Sequence, residues 1–417
     1  MKILIAPWGN PGGWKEVTYV FDGKNMKSKT SLEILQEVIK PDKTIIICLD
    51  TLAEEGKNYK EVRENAERRI REYADKFGLS NYEVLTAPGI GTFPNGIFRG
   101  DALDYYHYII AKLNLNFEHS NLDIHLDLTH GINYQTILTY RAIKEMLELF
   151  SIFKKTRFKA YNADPSSPTI ADKLFINVVE DTIPIPMPFA EKISQGRPLE
   201  PVSLSSEERE VLFKNELENI KINNLELSAF IGALYNGLPL ALFRFYPEKD
   251  KIEEVISTVL NTYEKYVEVK KEDKLKVTRK VKFGKDFKVY VFTYVIATLL
   301  KKLKLISSQK KEVALDEIEN LKENLFKFDK RFKMKIEDDL YTLKKDLKER
   351  EIRNWQIYNE ILGKPIGEPN LDARNFLAHS GFERNVVEIK KKKNDILMRY
   401  HENKIRVVMK LCRMGLR

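Results

Sequence analysis

The stretch Arg374-Asn375-Phe376-Leu377-Ala378-His379 holds the residue types best suited to moving protons beside a phosphate. Arginine keeps its charge at every physiological pH and grips phosphate oxygens with a planar fork. Histidine takes and gives a proton near neutrality. Together they could cleave a phosphodiester. His379 would deprotonate a hydroxyl nucleophile or protonate a leaving oxygen, Arg374 would stabilise charge building on the phosphate, and Asn375 could support the geometry. A structural reading competes, in which Arg374 pairs with a nearby acid and His379 is a partly buried helix-end residue. The spacing alone is a weak signal.

The motif comes after a loop, Gly363-Lys364-Pro365-Ile366-Gly367-Glu368-Pro369, and should open a short helix capped by Asn370 or Asp372 and stopped at Gly381. On a regular helix Arg374 and His379 point about 140° apart, at ~100° per residue. One copy therefore struggles to aim both at one phosphate, which favours a site shared across a dimer. Upstream, Ser205-Ser206-Glu207-Glu208 carries a helix-start signature. Most of the chain beyond it reads as helical, with a hairpin of 276–283 and 287–292 around Gly284-Lys285-Asp286 and a long charged helix over 336–362. Residues 223–236 could hold a helix-turn-helix. The end, 384–413, reads as a basic helix carrying Lys390-Lys391-Lys392-Lys393, a solvated face that could also touch RNA.

The first part alternates strands and helices. Apolar runs at 3–6, 44–49, 82–86, 122–128, 158–162 and 174–179 read as strands, and 58–77, 99–113 and 133–150 as helices. Such alternation implies crossovers and a mostly parallel, doubly wound sheet. Ligands bind outside the C-terminal ends of such strands. Three Gly-containing loops fall there: Trp8-Gly9-Asn10 and on to Trp14, then 89–96 with Gly91, Thr92 and Asn95, then Thr129-His130-Gly131 running into a helix at Asn133. Small residues admit a ligand close to the backbone, and free N–H groups at a helix start favour an anion. His130 could instead be a structural residue locked in one tautomer. Neither a GxGxxG nor a GxxxxGK[ST] fingerprint is present, which excludes the standard dinucleotide and P-loop readings.

With 417 residues, two or three domains are expected. The Pro-rich stretch Ile183-Pro184-Ile185-Pro186-Met187-Pro188 places the boundary, giving domains at 1–182 and 206–417 with a linker at 183–205. A net charge of +9 suits an anionic partner such as nucleic acid. The 31% charged content, rich in Lys and Glu, resembles that of hyperthermophile proteins. The 2 cysteines, Cys48 and Cys412, have no CxxC partner, so neither a disulfide framework nor a zinc site is indicated. The chain opens on a strand rather than a signal peptide, and its longest apolar run, 289–300, is too short to span a bilayer. A cytoplasmic protein with no membrane partner is expected.

With both halves in view, the chain resembles the CARF–HEPN ribonucleases that accompany type III CRISPR systems. The residues carrying the likeness are Pro7-Trp8-Gly9-Asn10, the turn Asp127-Leu128-Thr129-His130-Gly131, and the Arg-x4-His signature from Arg374 to His379, with Asn375 as the polar residue usual after the arginine. The resemblance implies an N-terminal Rossmann-like CARF sensor and a C-terminal helical HEPN domain with a β-hairpin insertion. It implies a homodimer, or a higher oligomer of dimers, that binds a cyclic oligoadenylate, often cyclic tetra-adenylate, on the rim formed by the three loops. It also implies cleavage of single-stranded RNA without a metal or other cofactor, through 2′-hydroxyl attack. Two rivals stand beside it: a non-catalytic ligand-sensing regulator that binds DNA, and a small-molecule enzyme that uses the α/β half.

Overall fold

The computed structural model describes residues 1–114, 121–165, 173–218, 220, 222–365, 373–393 and 395–417. The chain forms two compact units. One comprises Met1–Pro186, Pro198–Asn219 and Ser257–Lys288; the other comprises Met187–Arg197, Ile220–Ile256 and Val289–Arg417. The division is therefore not a single cut near the proline-rich stretch, because residues 257–288 fold back onto the first unit.

The first unit begins β1 (Lys2–Pro7), β2 (Val17–Phe21), β3 (Lys24–Ser28), α1 (Ser31–Ile39), β4 (Lys43–Leu49), α2 (Tyr59–Lys76) and β5 (Tyr82–Ala87). It continues β6 (Gly91–Phe93), β7 (Gly96–Arg99), α3 (Leu103–Asn114), β8 (Leu122–Asp127), α4 (Asn133–Phe153), β9 (Thr156–Ala163) and β10 (Lys173–Thr182). The sheet order is β3-β2-β10-β9-β8-β1-β4-β5. Strands β9, β8, β1, β4 and β5 are mutually parallel. The chain builds outward from β1 through β4 to β5, then returns to β8 on the other side of β1. The loops after β1 and β8 thus flank the point where strand order reverses, the usual ligand crevice of such sheets.

Crossover helices cover both faces, so the central strands are apolar throughout. Leu4, Ala6, Ile46 and Cys48 pack with Leu32 and Leu35 of α1 and Ile70 and Ala74 of α2. Ile3, Ile5, Ile45 and Ile47 point the other way and are buried too. The β2–β3 hairpin was not legible, because its exposed edge strand is mostly polar: of Lys24, Asn25, Met26, Lys27 and Ser28 only Ser28 is buried.

After Pro186 come β11 (Leu199–Pro201), α5 (Ser206–Val211), α6 (Asn224–Asn236), α7 (Pro239–Arg244) and α8 (Lys249–Lys265). Next are β12 (Val267–Lys271), β13 (Leu275–Arg279), β14 (Val281–Phe283) and α9 (Lys285–Lys302). The capping box expected at Ser205 is present, its hydroxyl accepting from Glu208 N. The expected hairpin is displaced: β12 pairs with β13, and 287–292 lies in α9. That segment is β-branched and aromatic, but its side chains are buried on every side of a helix, so composition alone could not distinguish helix from strand. Strand β13 also runs parallel to β7, making a four-stranded sheet β12-β13-β7-β6 within the first unit. In the second unit residues 223–236, where a helix-turn-helix could lie, are the single helix α6 with Asn223 as its N-cap, so that segment contains no turn.

The remainder comprises β15 (Val313–Ala314), α10 (Leu315–Asn324), α11 (Lys330–Leu347), β16 (Ile352–Ile357) and α12 (Tyr358–Ile361), then α13 (Ala373–Ala378), β17 (Val387–Lys392), β18 (Asp395–Tyr400) and α14 (Ile405–Cys412). Two expectations are corrected here. The long charged helix is α11, capped by Asp329 and ending at Leu347, with strand β16 after it. The basic terminal helix is instead the antiparallel β17–β18 hairpin, with the short α14 after it. Val387 and Ile389 are buried and alternate with polar positions, and Ile396, Met398 and Tyr400 opposite are buried in alternation with the less buried Leu397 and Arg399, a period of two that the lysine run disguises. Lys391 Nζ donates to the Leu347 and Lys348 carbonyls at the end of α11. The helix caps expected at Asn370 and Asp372 lie outside the described residues.

Among the described residues no helix is long and apolar enough to cross a membrane. Nor do three or more His, Cys, Asp or Glu side chains gather where they could hold a metal ion.

Candidate functional site

Helix α13 carries the Arg-x4-His stretch. The His379 N–H still bonds to the Asn375 carbonyl, so the helical spacing runs one residue past the helix end. Asn375 and His379 are therefore four apart on one face, and both line a cavity of about 310 Å³. Arg374 lies on the exposed surface one position earlier and is not part of that lining. The structure thus brings two of the three expected catalytic side chains into one cavity lining and leaves Arg374 out of it, in keeping with the angular offset of about 140° between Arg374 and His379.

Sequence reasoning missed the partner of His379. Asp339 on α11 approaches His379 Nδ1 at 3.1 Å. A carboxylate accepts there, so Nδ1 carries the proton and Nε2 is left as the proton acceptor. The Asp339 side chain is 15% exposed and that of His379 60%. Burial pushes the Asp339 carboxyl above its ordinary range, against the hydrogen bond from His379, which lowers it. The cavity also takes in Tyr358, Asn359, Glu383 and Arg384. The turn that carries the chain from His379 to Arg384 needs left-handed backbone at Ser380 and Gly381, where φ is 48° and 81°. Gly381 suits it, and a Cβ there would meet the Tyr400 hydroxyl at 2.8 Å.

The rim at the switch point holds a second cavity, about 230 Å³, lined by Trp8, Gly9, Asn10 and Asn95 among the expected residues. Phe93 and Ile132, which lie within the other two expected loops, also line it, as does Arg69, which the sequence did not signal. Trp8 is fully buried, and its Nε1 has no hydrogen-bond partner among the described residues. Asn10 Oδ1 accepts from Gly12 N at 3.1 Å, and the Asn95 amide donates to the Thr51 and Ala53 carbonyls.

The other expected rim residues do not line this cavity. Gly91 and Thr92 lie in β6. Thr129 Oγ1 accepts from Ala163 N. His130 Nε2 accepts from Ser31 N at 3.3 Å and lies 3.1 Å from the Tyr19 hydroxyl, while its ring stacks on Trp14 at 4.0 Å. A backbone N–H can only donate, so His130 is held with Nε2 unprotonated, and burial lowers its pKa to about 4. These contacts are the ones the tautomer-locked reading expects. Gly131 is packed so closely that a Cβ would lie 2.3 Å from Thr136 Cγ2. Asn133, exposed at the start of α4, has a φ of 28°.

A buried ion pair braces the same rim. Arg279, at the end of β13, bonds Asp50 just after β4, and both side chains are wholly buried. Asp50 also accepts from Gly89 N at 2.8 Å and from the Tyr59 hydroxyl at 2.9 Å. Arg279 donates as well to the Gly89 carbonyl. The loops after β4 and β5 are thus fixed by a residue of the inserted hairpin.

Comparison with known proteins agrees with this layout. Residues 3–165 match the family model "CRISPR system endoribonuclease Csx1, CARF domain", and residues 299–403 match the corresponding HEPN domain model. The chain is 35% identical over 415 residues to the CRISPR system endoribonuclease Csx1 of Methanocaldococcus jannaschii, covering 93% of this chain and 86% of that protein. Among solved structures it aligns with protein VC1899 from Vibrio cholerae at 10% identity, covering 73% of this chain and 67% of that one, with a TM-score of 0.24. It also aligns with Enterococcus italicus Csm6 bound to cyclic hexa-2′-fluoro-hexa-dAMP at 7% identity, covering 100% and 94%, with a TM-score of 0.27. At those scores neither structure carries weight here.

Proposed function

Because this chain belongs to the Csx1 family of CRISPR endoribonucleases, we propose that the cavity at His379 cleaves single-stranded RNA by 2′-hydroxyl attack, without a metal, under control of a cyclic oligoadenylate bound at the Trp8 rim. The observation that carries the reading is the His379–Asp339 contact. It leaves Nε2 of a mostly exposed imidazole as a proton acceptor beside a cavity. The RNA's O2′ proton passes to that nitrogen as O2′ bonds to phosphorus. The P–O5′ bond breaks, and the leaving oxygen takes a proton from the imidazolium of the second copy in a dimer. The products are a 2′,3′-cyclic phosphate and a 5′-hydroxyl. Arg374, on the outer face of α13, would reach the phosphate from that second copy and stabilise its charge. Asn375, one turn from His379 in the same lining, would orient the phosphate.

The activator reading draws support from the switch-point position of the Trp8 cavity and from its unpartnered indole N–H, a donor ready for a nucleotide acceptor. A two-fold dimer offers two copies of each loop, which matches the symmetry of cyclic tetra-adenylate.

One experiment covers these points: cleavage of labelled single-stranded RNA in EDTA, with and without cyclic oligoadenylates of several sizes, by wild type, His379→Gln and Trp8→Phe. Wild type should cleave in EDTA and respond to one ring size. His379→Gln should be inactive. Trp8→Phe should keep basal cleavage and need more activator. Cleavage by His379→Gln near the wild-type rate removes the assignment, and an unchanged activator response in Trp8→Phe moves the ligand elsewhere.

A further inference from the structure

RNA is a polyanion, yet the cavity at His379 includes two carboxylates, Asp339 and Glu383, both largely buried. Such a lining repels a phosphate unless a cation offsets it. Among the described residues the lining holds one arginine, Arg384, and no lysine. Arg374, the arginine of the sequence motif, is not part of it.

Helix α11 sets up two matched contacts. Asp339 holds His379, and Asp346, seven residues on and so on the same face, holds Arg384 Nη2 at 3.3 Å. Asp346 also accepts from the Tyr358 hydroxyl at 2.8 Å, and the guanidinium lies over the Tyr358 ring at 5.2 Å. Arg384 is thus oriented by a shared carboxylate and an aromatic face while its side chain stays 35% exposed. A guanidinium has five N–H donors in a rigid fork, and the Asp346 contact engages one nitrogen. The two anchor points are separated by about 10 Å along α11, at ~1.5 Å per residue. An anion on Arg384 would therefore be a neighbour of the phosphate that His379 serves.

We propose that Arg384 seats a backbone phosphate flanking the scissile one, in the same subunit as the His379 it accompanies. This rests on the reading of the His379 cavity as the RNA-cleaving centre. The contact is made in ground state and transition state alike, so its loss weakens binding more than the chemical step.

The test measures binding of a labelled, mixed-sequence single-stranded RNA to the full chain carrying His379→Gln, across a salt series. Adding Arg384→Ala should weaken affinity roughly tenfold or more, the scale of a hydrogen bond to a charged group. It should also reduce the slope of log K against log salt by about 0.7, the counterion term for one phosphate contact on a single strand. Arg384→Lys should restore most of the slope. Asp346→Asn, which removes the structural partner but leaves the guanidinium, should keep the slope. In the active chain Arg384→Ala should raise KM with kcat within a few-fold. An unchanged salt slope in a folded Arg384→Ala, or an equal slope loss in Asp346→Asn, overturns the assignment. If His379→Gln itself still cleaves, the catalytic reading fails, and the salt slope still decides whether Arg384 binds phosphate.

Discussion

Replacing Asp339 with asparagine probes the contact on which the proposed chemistry depends. In the proposed mechanism the carboxylate, 3.1 Å from Nδ1, fixes the proton there and stabilises the imidazolium formed when Nε2 accepts the O2′ proton. A hydrogen bond to a charged group contributes about 1.5–3 kcal/mol when well shielded, whereas an exposed ion pair contributes ~0.2–1 kcal/mol. Here the acid is mostly buried and the imidazole mostly exposed, at 15% and 60%. The contact lies between those limits, at roughly 1–2 kcal/mol, which corresponds to about a 5- to 30-fold loss of rate. Single-turnover cleavage at saturating protein isolates the chemical step from binding. Asp339→Asn should slow that step by this factor with RNA affinity unchanged, and His379→Gln should lose ~10²- to 10⁴-fold. The double variant should be no slower than His379→Gln alone, because Asp339 acts only through the imidazole. As pH falls through the raised range of the Asp339 carboxyl, wild type should converge on Asp339→Asn, since protonation removes the same charge. An Asp339→Asn rate within twofold of wild type, or a multiplicative loss in the double variant, would refute the reasoning.

Four further outcomes concern the first unit. Arg279→Met strands the wholly buried Asp50 carboxylate and should destabilise the unit by about 3–5 kcal/mol, with part of that recovered in Asp50→Asn/Arg279→Met; chemical denaturation showing a single variant as stable as wild type contradicts this. Burial holds His107 down to about 4, below its unfolded value, so stability present above about pH 6.5 is lost as pH falls towards 4, by up to ~3 kcal/mol; thermal melts of His107→Phe should show a shallower acid loss. Asp104, raised to about 6 by burial, works in the opposite direction and gains stability as pH falls through that value, so Asp104→Asn should steepen the acid loss in the same melts. Gly131→Ala should lower stability whether or not ligand is present, because its Cβ meets Thr136 and Pro7; unchanged melting would show that the turn has room to yield.

Much of the architecture comes from local signals. The apolar strands β1, β4, β5 and β8 and the helices between them specify a sheet buried on both faces, and with it the edge where loops such as Trp8-Gly9-Asn10 gather. The spacing of Asn375 and His379 likewise places them on one face, and the extra position turns Arg374 away. What local pattern cannot supply is a partner distant in the chain. Asp339 is 40 residues from His379, and Asp50 is 229 from Arg279. Asp339 sits beside the exposed acids Glu337 and Asp338, and nothing within a few residues of Asp50 points to Arg279. The β17–β18 hairpin hides for a related reason: long lysines read as a solvated helix until Val387 and Ile389 find a core to face. His130 reads as a ligand-facing turn residue until Ser31 and Tyr19, about 100 residues away, claim its ring nitrogen. Local pattern sufficed for which elements form and which side chains share a helix face, because those depend on neighbours a few residues apart. Which acid orients the histidine, and which arginine lines its cavity, emerged only on folding, because those depend on contacts between segments far apart along the chain.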